Sequence, residues 1–205
     1  DFEEGLKVMN ANPFTRGHGE LLRRAAQENA RVVLFVLSED RSLVPCRDRL
    51  AMVKAAAAQY PHVSVVLSGS YMISSATFPS YFLKDADTVT RAHAQLDATL
   101  FTRIAAALNL RRRYVGEEPF SHATSLYNEA LSAILPKRGV ELIIVPRLEE
   151  QGEAISASHV RQLIKAGRME EIRPLVPETT YDYLSGPQGR EAVARIKAAE
   201  DVVHH

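Results

Sequence analysis

One cysteine, Cys46, stands in the whole chain, and that scarcity removes several classes of protein at once. No intrachain disulfide can form and the usual zinc-finger ligand sets cannot be assembled; a reducing compartment fits, so a cytoplasmic protein is expected. Charge of one sign is equally lacking, because 25 Lys plus Arg offset 25 Asp plus Glu. That balance leaves no global field for nucleic acid or a membrane surface, and any anion binding must come from local arrangement. No apolar run nears the roughly 20 residues that a membrane-spanning helix needs, and no signal-peptide pattern opens the chain. Internal repeats and low-complexity tracts are also missing. The sequence starts at Asp1 without Met and closes on His204 and His205, so either end reads as a boundary within a longer parent.

What is present suffices for one substantial core: 205 residues, 46% of them hydrophobic. Short apolar runs suited to buried parallel strands recur at 6–9, 31–37, 63–67, 113–116 and 141–146. Helical patterns separate them. One stripe is Leu21, Leu22, Ala25 and Ala26; another is Leu50, Val53, Lys54 and Ala57; a third is Leu96, Leu100, Ile104 and Leu108. Alternating strands and helices predict an α/β fold: a Rossmann-like, doubly wound, five-stranded parallel sheet covered on both faces. From 154 to 184 the pattern turns to short helices broken at Gly167, Pro174 and Pro177, a small C-terminal helical cap. Residues 185–205 read as a polar, peripheral tail with one amphipathic helix.

In such a sheet, ligands bind beyond the carboxyl ends of the strands, where strand order reverses. The first strand ends near Asn10, and "ANPFTRGH" leaves that edge to deliver His18 to the first turn of a helix, where free backbone N–H groups favour an anion. Glycine at 17 lets a phosphate approach closely. The GxxxxGK[ST] loop is absent, and "GHGELL" carries only two glycines of a dinucleotide fingerprint, so a redox Rossmann enzyme is disfavoured. An imidazole N–H at this place suits a phosphate oxygen whose charge grows in the transition state. A second element, "AISASHVR" at 154–161, follows the last strand; Ser156 or Ser158 would cap a helix and Arg161 would join its N–H groups around a pyrophosphate.

"TRGH" and "ISASHVR" together resemble the (H/T)xGH and ISSTxxR motifs of the nucleotidyltransferase superfamily. Ala157 and His159 are departures, so Ser156, Ser158 and Arg161 carry over. With "NANPFTRGH", "LFVLSEDRSLVP", "SGSYMISSATFPSYFLKD", "YVGEEPF" and "PLVPETT", the chain is similar to the catalytic part of the [citrate (pro-3S)-lyase] ligase family over about residues 6 to 184. In that family an acetyltransferase-like domain usually precedes this part. The resemblance implies a nucleotidyltransferase catalytic domain at 1–184 and an AMP-forming acid–thiol ligase. ATP and acetate give acetyl-AMP and pyrophosphate, and the acetyl group passes to the phosphoribosyl-dephospho-CoA thiol of the citrate lyase acyl carrier subunit. Thr15, His18 and Arg161 are then catalytic. Thr15 and His18 hold the α-phosphate, Ser156, Ser158 and Arg161 take the departing phosphates, and Mg²⁺ offsets the charge. Asn10, Asn12, Phe14, Gly17, Gly116 and Glu118 complete the ATP site, with no protein ligand assigned to a metal.

Some of these residues have plainer alternatives. Asn10 and Asn12 suit substrate positioning or ordinary loop formation, and Gly116 with Glu118 suits the nucleoside or a turn before Pro119. Arg49, Ser70, Tyr71, Ser74 and Thr77 are candidates for the acyl-carrier arm, against a packed helix for the last four. Arg47 reads as solvated surface, and His93 with Asp97 as an ordinary surface pair. Two other functions stay open: an adenylyltransferase acting on pantetheine phosphate or a mononucleotide, and a non-catalytic nucleotide-binding partner domain.

Overall fold

The five apolar runs become five parallel strands. The computed structural model describes residues 4–38, 42–69, 86–117 and 122–203, and the strands are β1 (Glu4–Met9), β2 (Arg31–Val36), β3 (Val63–Leu67), β4 (Arg112–Gly116) and β5 (Glu141–Val145). Their order across the sheet is β3-β2-β1-β4-β5, all parallel. The chain therefore winds outward from β1 in one direction, returns, and winds outward in the other, so strand order reverses between β1 and β4. A two-residue antiparallel pair, β6 (Glu149–Glu150) with β7 (Glu153–Ala154), follows β5.

Strand alternation sends side chains to two cores. Leu34 and Val36 of β2 join Met9, Val53, Val160, Ile164, Leu184 and Ile196 on one face. Val33 joins Leu6, Val115, Phe101 and Leu131 on the other. The first face is covered by α1 (Arg16–Glu28), α2 (Cys46–Ala57), α5 (Ala157–Lys165), α6 (Glu178–Ser185) and α7 (Arg190–Ala198); the second by α3 (Ala86–Ala107) and α4 (His122–Ile134). The inner strands β1, β2 and β4 are covered on both faces, which makes near-continuous apolar runs their signature, whereas the edge strands β3 and β5 leave Val66, Leu67 and Ile144 exposed.

Two expectations change. The Leu96, Leu100, Ile104, Leu108 stripe of α3 does not face the core: Leu96 and Leu108 are exposed, while Ala94, Asp97, Ala98, Phe101 and Ala105 are buried. Small alanines let α3 and α4 pack closely, and Asp97 is drawn inward by Arg113 of β4, which donates to it at 2.8 Å. Asp97 is accordingly a buried ion-pair partner, not a member of a surface pair. The segment expected to be a peripheral tail is also packed. Ala192, Ile196 and Val202 are buried in the larger core, and Arg161 and Lys165 of α5 donate to the carbonyls of Ala199, Glu200, Val202 and Val203. Among the described residues no helix is long and apolar enough to cross a membrane.

Candidate active site

The ladder between β1 and β4 is short. It runs through Gly5, Leu6 and Lys7, paired with Arg112, Arg113 and Tyr114, whereas β1 and β2 stay paired over all six residues to Met9 and Val36. Beyond Lys7 the two central strands part, and a crevice of about 470 Å³ opens between their carboxyl ends. That volume lies in the range of small-molecule sites. Its walls include Lys7, Met9, Asn10, Thr15, Gly17, His18, Gly116, Glu117, Arg147 and Ser156.

Two helices start at this crevice. Thr15 is the N-cap of α1 and Ser156 the N-cap of α5, whose side chain accepts from His159 N–H at 3.1 Å. A Cβ at Gly17 would lie 3.5 Å from Thr15 Oγ1 and 3.7 Å from the Ile155 carbonyl, so the two N-termini are neighbours. Such ends present unpaired N–H groups and a positive dipole, and two of them at one cavity favour a multiply charged anion. The contacts that a Cβ at 17 would make are ordinary, so nothing in the protein itself demands glycine there.

His18 occupies the third position of α1, where a capping box ordinarily places Glu or Gln. Its Nδ1 accepts the Thr15 backbone N–H at 3.0 Å and lies 2.9 Å from Thr15 Oγ1; the His18 N–H returns a bond to Thr15 Oγ1 at 3.4 Å. An acceptor at Nδ1 fixes the proton of the neutral ring on Nε2. Burial first, then the charges of Lys7 and Arg147, push the imidazole down to about 3. The ring is therefore a neutral Nε2–H donor across the physiological range. Phe14, fully buried, sets its ring 5.5 Å from the imidazole and limits its tilt.

The loop between β1 and α1 is held from below by Arg49. This fully buried side chain donates to the carbonyls of Asn10 (3.0 Å), Leu37 (2.8 Å) and Val44 (3.0 Å) and to Asn10 Oδ1 (2.9 Å). Asn10 Nδ2 donates to Ser42 Oγ at 3.0 Å, and Asn12 Oδ1 accepts Val44 N–H at 3.0 Å. Ala11, buried between these ties, is held at φ 52°, a left-handed conformation that a side chain disfavours.

The sequence matches the model of the citrate lyase ligase C-terminal domain over residues 5–184. The chain belongs to that family. It is 39% identical over 186 residues to [citrate [pro-3S]-lyase] ligase of Escherichia coli (strain K12), a match covering 88% of this chain and 53% of that protein. The corresponding ligase of Klebsiella pneumoniae is 37% identical over 185 residues, covering 88% and 54%. The chain thus spans about half the length of these relatives. Among solved structures, Thermotoga maritima TmcAL bound with alpha-thio ATP superposes with a TM-score of 0.59 at 13% identity, over 89% of this chain and 55% of that one. Pantothenate synthetase of Thermus thermophilus gives 0.52 at 20% identity, over 98% and 78%. At these identities the structural likeness speaks for the fold alone.

Set in this citrate lyase ligase C-terminal domain, the residues singled out in the sequence separate into three groups. Asn10, Thr15, Gly17, His18, Gly116 and Ser156 meet at the crevice. Asn12, Phe14, Ser158, Arg49 and Arg161 are not among its lining. Asn12 and Phe14 are buried as loop tie and ring support; Ser158 Oγ rests 3.1 Å from Ser156 Oγ; and Arg49, offered for the acyl-carrier arm, is a sealed loop clamp. Arg161 lies away from the crevice lining. It is only 3% exposed, and its guanidinium donates to the carbonyls of Asn12 (2.5 Å), Val202 (2.7 Å) and Val203 (2.9 Å). Its position on α5 falls with Val160 and Ile164 on the buried face, and the side chain joins loop and tail. Glu118, Ser70, Tyr71, Ser74 and Thr77 lie outside the described residues.

Three charged residues of the crevice, Lys7, Glu117 and Arg147, were not found from sequence. Lys7 had a signal, a lysine inside the apolar run "LKVM" of the central strand. Glu117 and Arg147 follow the ends of β4 and β5, where crevice residues of this architecture fall.

Proposed function

We propose that the protein is the nucleotidyl-transferring part of an AMP-forming ligase. It activates acetate with ATP as acetyl-AMP, releases pyrophosphate, and delivers the acetyl group to the phosphoribosyl-dephospho-CoA thiol of the citrate lyase acyl carrier subunit. The observation that carries this reading is the convergence of a fixed His18 Nε2–H with two helix N-termini in one crevice at the strand-order reversal. Membership of the citrate lyase ligase family supports the choice of acid and acceptor. We read the location as cytoplasmic, where ATP is at hand.

In-line attack of a carboxylate oxygen on the α-phosphate of ATP builds charge on the phosphoryl oxygens and on the departing pyrophosphate. His18 Nε2–H meets an α-phosphate oxygen without giving up its proton, since a ring that protonates only near pH 3 does not shuttle protons at neutral pH. Such donors are worth about 10²- to 10³-fold in rate. The N–H groups at the starts of α1 and α5, with Ser156 and Arg147, cradle the β- and γ-phosphates. Arg161 acts here through Asn12 and the tail, as a positioning residue. Among the described residues no group of three or more His, Cys, Asp or Glu side chains is arranged to hold a metal ion. Mg²⁺ bound to the triphosphate would offset part of its charge.

Exchange of labelled pyrophosphate into ATP tests the reading. Acetate-dependent exchange is expected, followed by acetylation when the thiol-bearing acyl carrier subunit is added. Exchange indifferent to acetate sinks the ligase reading, and dependence on pantetheine phosphate or a mononucleotide moves the protein to the adenylyltransferases.

A further inference from the structure

Lysine is almost never buried without a partner, yet Lys7 of β1 is 7% exposed, and no hydrogen bond or ion pair holds its ammonium among the described residues. It is the last residue of the β1–β4 ladder, so it stands where the strands part and forms the floor of the crevice. The charged and titratable groups around it are His18 on α1, Arg113 and the cross-strand neighbour Tyr114 on β4, Arg147 after β5 and Glu117 after β4, the Tyr114 hydroxyl being engaged with Glu28 at 2.8 Å. Arg113 is already paired with Asp97 on the opposite face. A cation on the floor of a phosphate-sized cavity, next to an N–H donor and beneath two helix N-termini, lacks only the anion.

We propose that Lys7 binds the nucleotide: its ammonium takes a non-bridging oxygen of the α-phosphate of ATP, on the side of that phosphate away from the helix N-termini and beside His18 Nε2–H. The proposal rests on the functional reading above and adds to it the group that carries the positive charge at the reacting phosphorus. Arg161, tied to three carbonyls, does not have this role. Burial, with Arg113 adding to it, lowers the Lys7 ammonium to about 7 in the free protein. An anion bound against it restores the charged form, so ATP binding draws a proton onto Lys7 at neutral and alkaline pH.

Calorimetric titration of ATP, pyrophosphate and acetate into wild type, Lys7→Met and Lys7→Arg, at pH 6 and pH 8.5, tests this. Lys7→Met is expected to weaken ATP about tenfold or more at pH 6, in line with loss of a charged hydrogen bond, and Lys7→Arg to stay within a few-fold. The ratio of wild-type to Lys7→Met affinity should shrink at pH 8.5, where wild-type Lys7 must first gain its proton; the ionisation of ATP itself is common to both proteins and cancels. Lys7→Met removes an uncompensated buried cation, so its denaturation midpoint should equal or exceed that of wild type. Should that variant fail to fold, the lysine ammonium NMR signal missing from Lys7→Arg identifies Lys7 in wild type, and its titration midpoint should rise on adding ATP.

Equal ATP affinities at both pH values, or a Lys7 signal indifferent to ATP, overturns the proposal. So does a loss confined to acetate, which would make the carboxylate the anion bound. Lys7-dependent ATP binding without acetate-dependent exchange leaves Lys7 in place and fails the ligase reading. Acetate-dependent exchange that Lys7→Met leaves unchanged does the reverse.

Discussion

Two buried cations on neighbouring strands, Lys7 and Arg113, are treated in opposite ways. Arg113 points to the α3–α4 face, where it donates to Asp97 at 2.8 Å and stacks 4.5 Å over the Phe101 ring, while Tyr127 donates to the same carboxylate. Burial, and then Asp97, push the Tyr127 phenol well above its ordinary value, so it remains a donor. Within this cluster Arg113 Nη1 has no acceptor among the described residues. Lys7, facing the other way, receives no carboxylate among the described residues. A protein that places a counter-charge beneath one cation and omits it beside the next has built a structural site on one face and a receiving site on the other. The difference teaches where to look: unmet charge at the floor of a cavity marks the side where chemistry is expected.

The largest effect should come from undoing the structural site. Asp97→Ala leaves Arg113 buried without its counter-ion and takes the acceptor from Tyr127. Breaking a buried pair in this way costs about 3–5 kcal/mol, measurable as a lower urea midpoint. Removing the cation as well, in Asp97→Ala/Arg113→Met, should recover much of the loss. Pyrophosphate exchange should survive at temperatures where the single variant is folded. A loss under about 1 kcal/mol would erase the contrast, by showing that this face does not depend on its pairing.

The next effect belongs to the crevice and should leave stability almost untouched. His18→Gln keeps an acceptor suited to the capping box, because Gln is a natural residue at that position, but it deletes the imidazole Nε2–H. We expect exchange to fall by about 10²-fold or more with a denaturation midpoint close to wild type. Loss of both together would make His18 a helix cap first and a phosphate ligand second. Full activity would remove the imidazole from the mechanism.

The two sides of this contrast were unequally legible in the sequence. Strand positions were readable because inner strands covered on both faces need continuous apolar runs, as 31–37 shows; the same pattern also marks the edge strand at 141–145, although Ile144 there is exposed. Thr15, His18 and Ser156 were readable because helix starts are local: the residues that cap, and the N–H groups they leave free, lie within four positions. Burial of α3 was misread because Leu and Ile outweigh Ala in any amphipathic pattern, although alanine is what permits the close α3–α4 contact. Asp97, Arg49 and Arg161 look alike in sequence, charged residues on helices. Whether each meets solvent, a ligand or a carbonyl is settled by chain segments 16 to 149 residues away. Lys7 was hidden for a related reason, since its meaning depends on β1 and β4 parting just beyond it.

The smallest effect tests why His18 is neutral. A histidine in the unfolded chain titrates near about 6.5, whereas burial and the charges of Lys7 and Arg147 hold folded His18 at about 3. Between those values the unfolded state binds a proton that the folded state refuses, so stability falls as pH drops through that window. Between pH 6.5 and 5.5 the wild type should lose about 1 kcal/mol through this one group, and His18→Gln should not. The other histidines are common to both proteins and cancel in the difference. Lys7 adds little slope there, because below its folded value near 7 it is protonated in both states. The wild-type urea midpoint should therefore fall below that of His18→Gln on acidification. A gap indifferent to pH would mean that His18 takes up its proton inside the fold, which requires Nδ1 to let go of Thr15 N–H. The fixed Nε2–H, and with it the contrast between a receiving face and a structural one, would then have to rest on Lys7 alone.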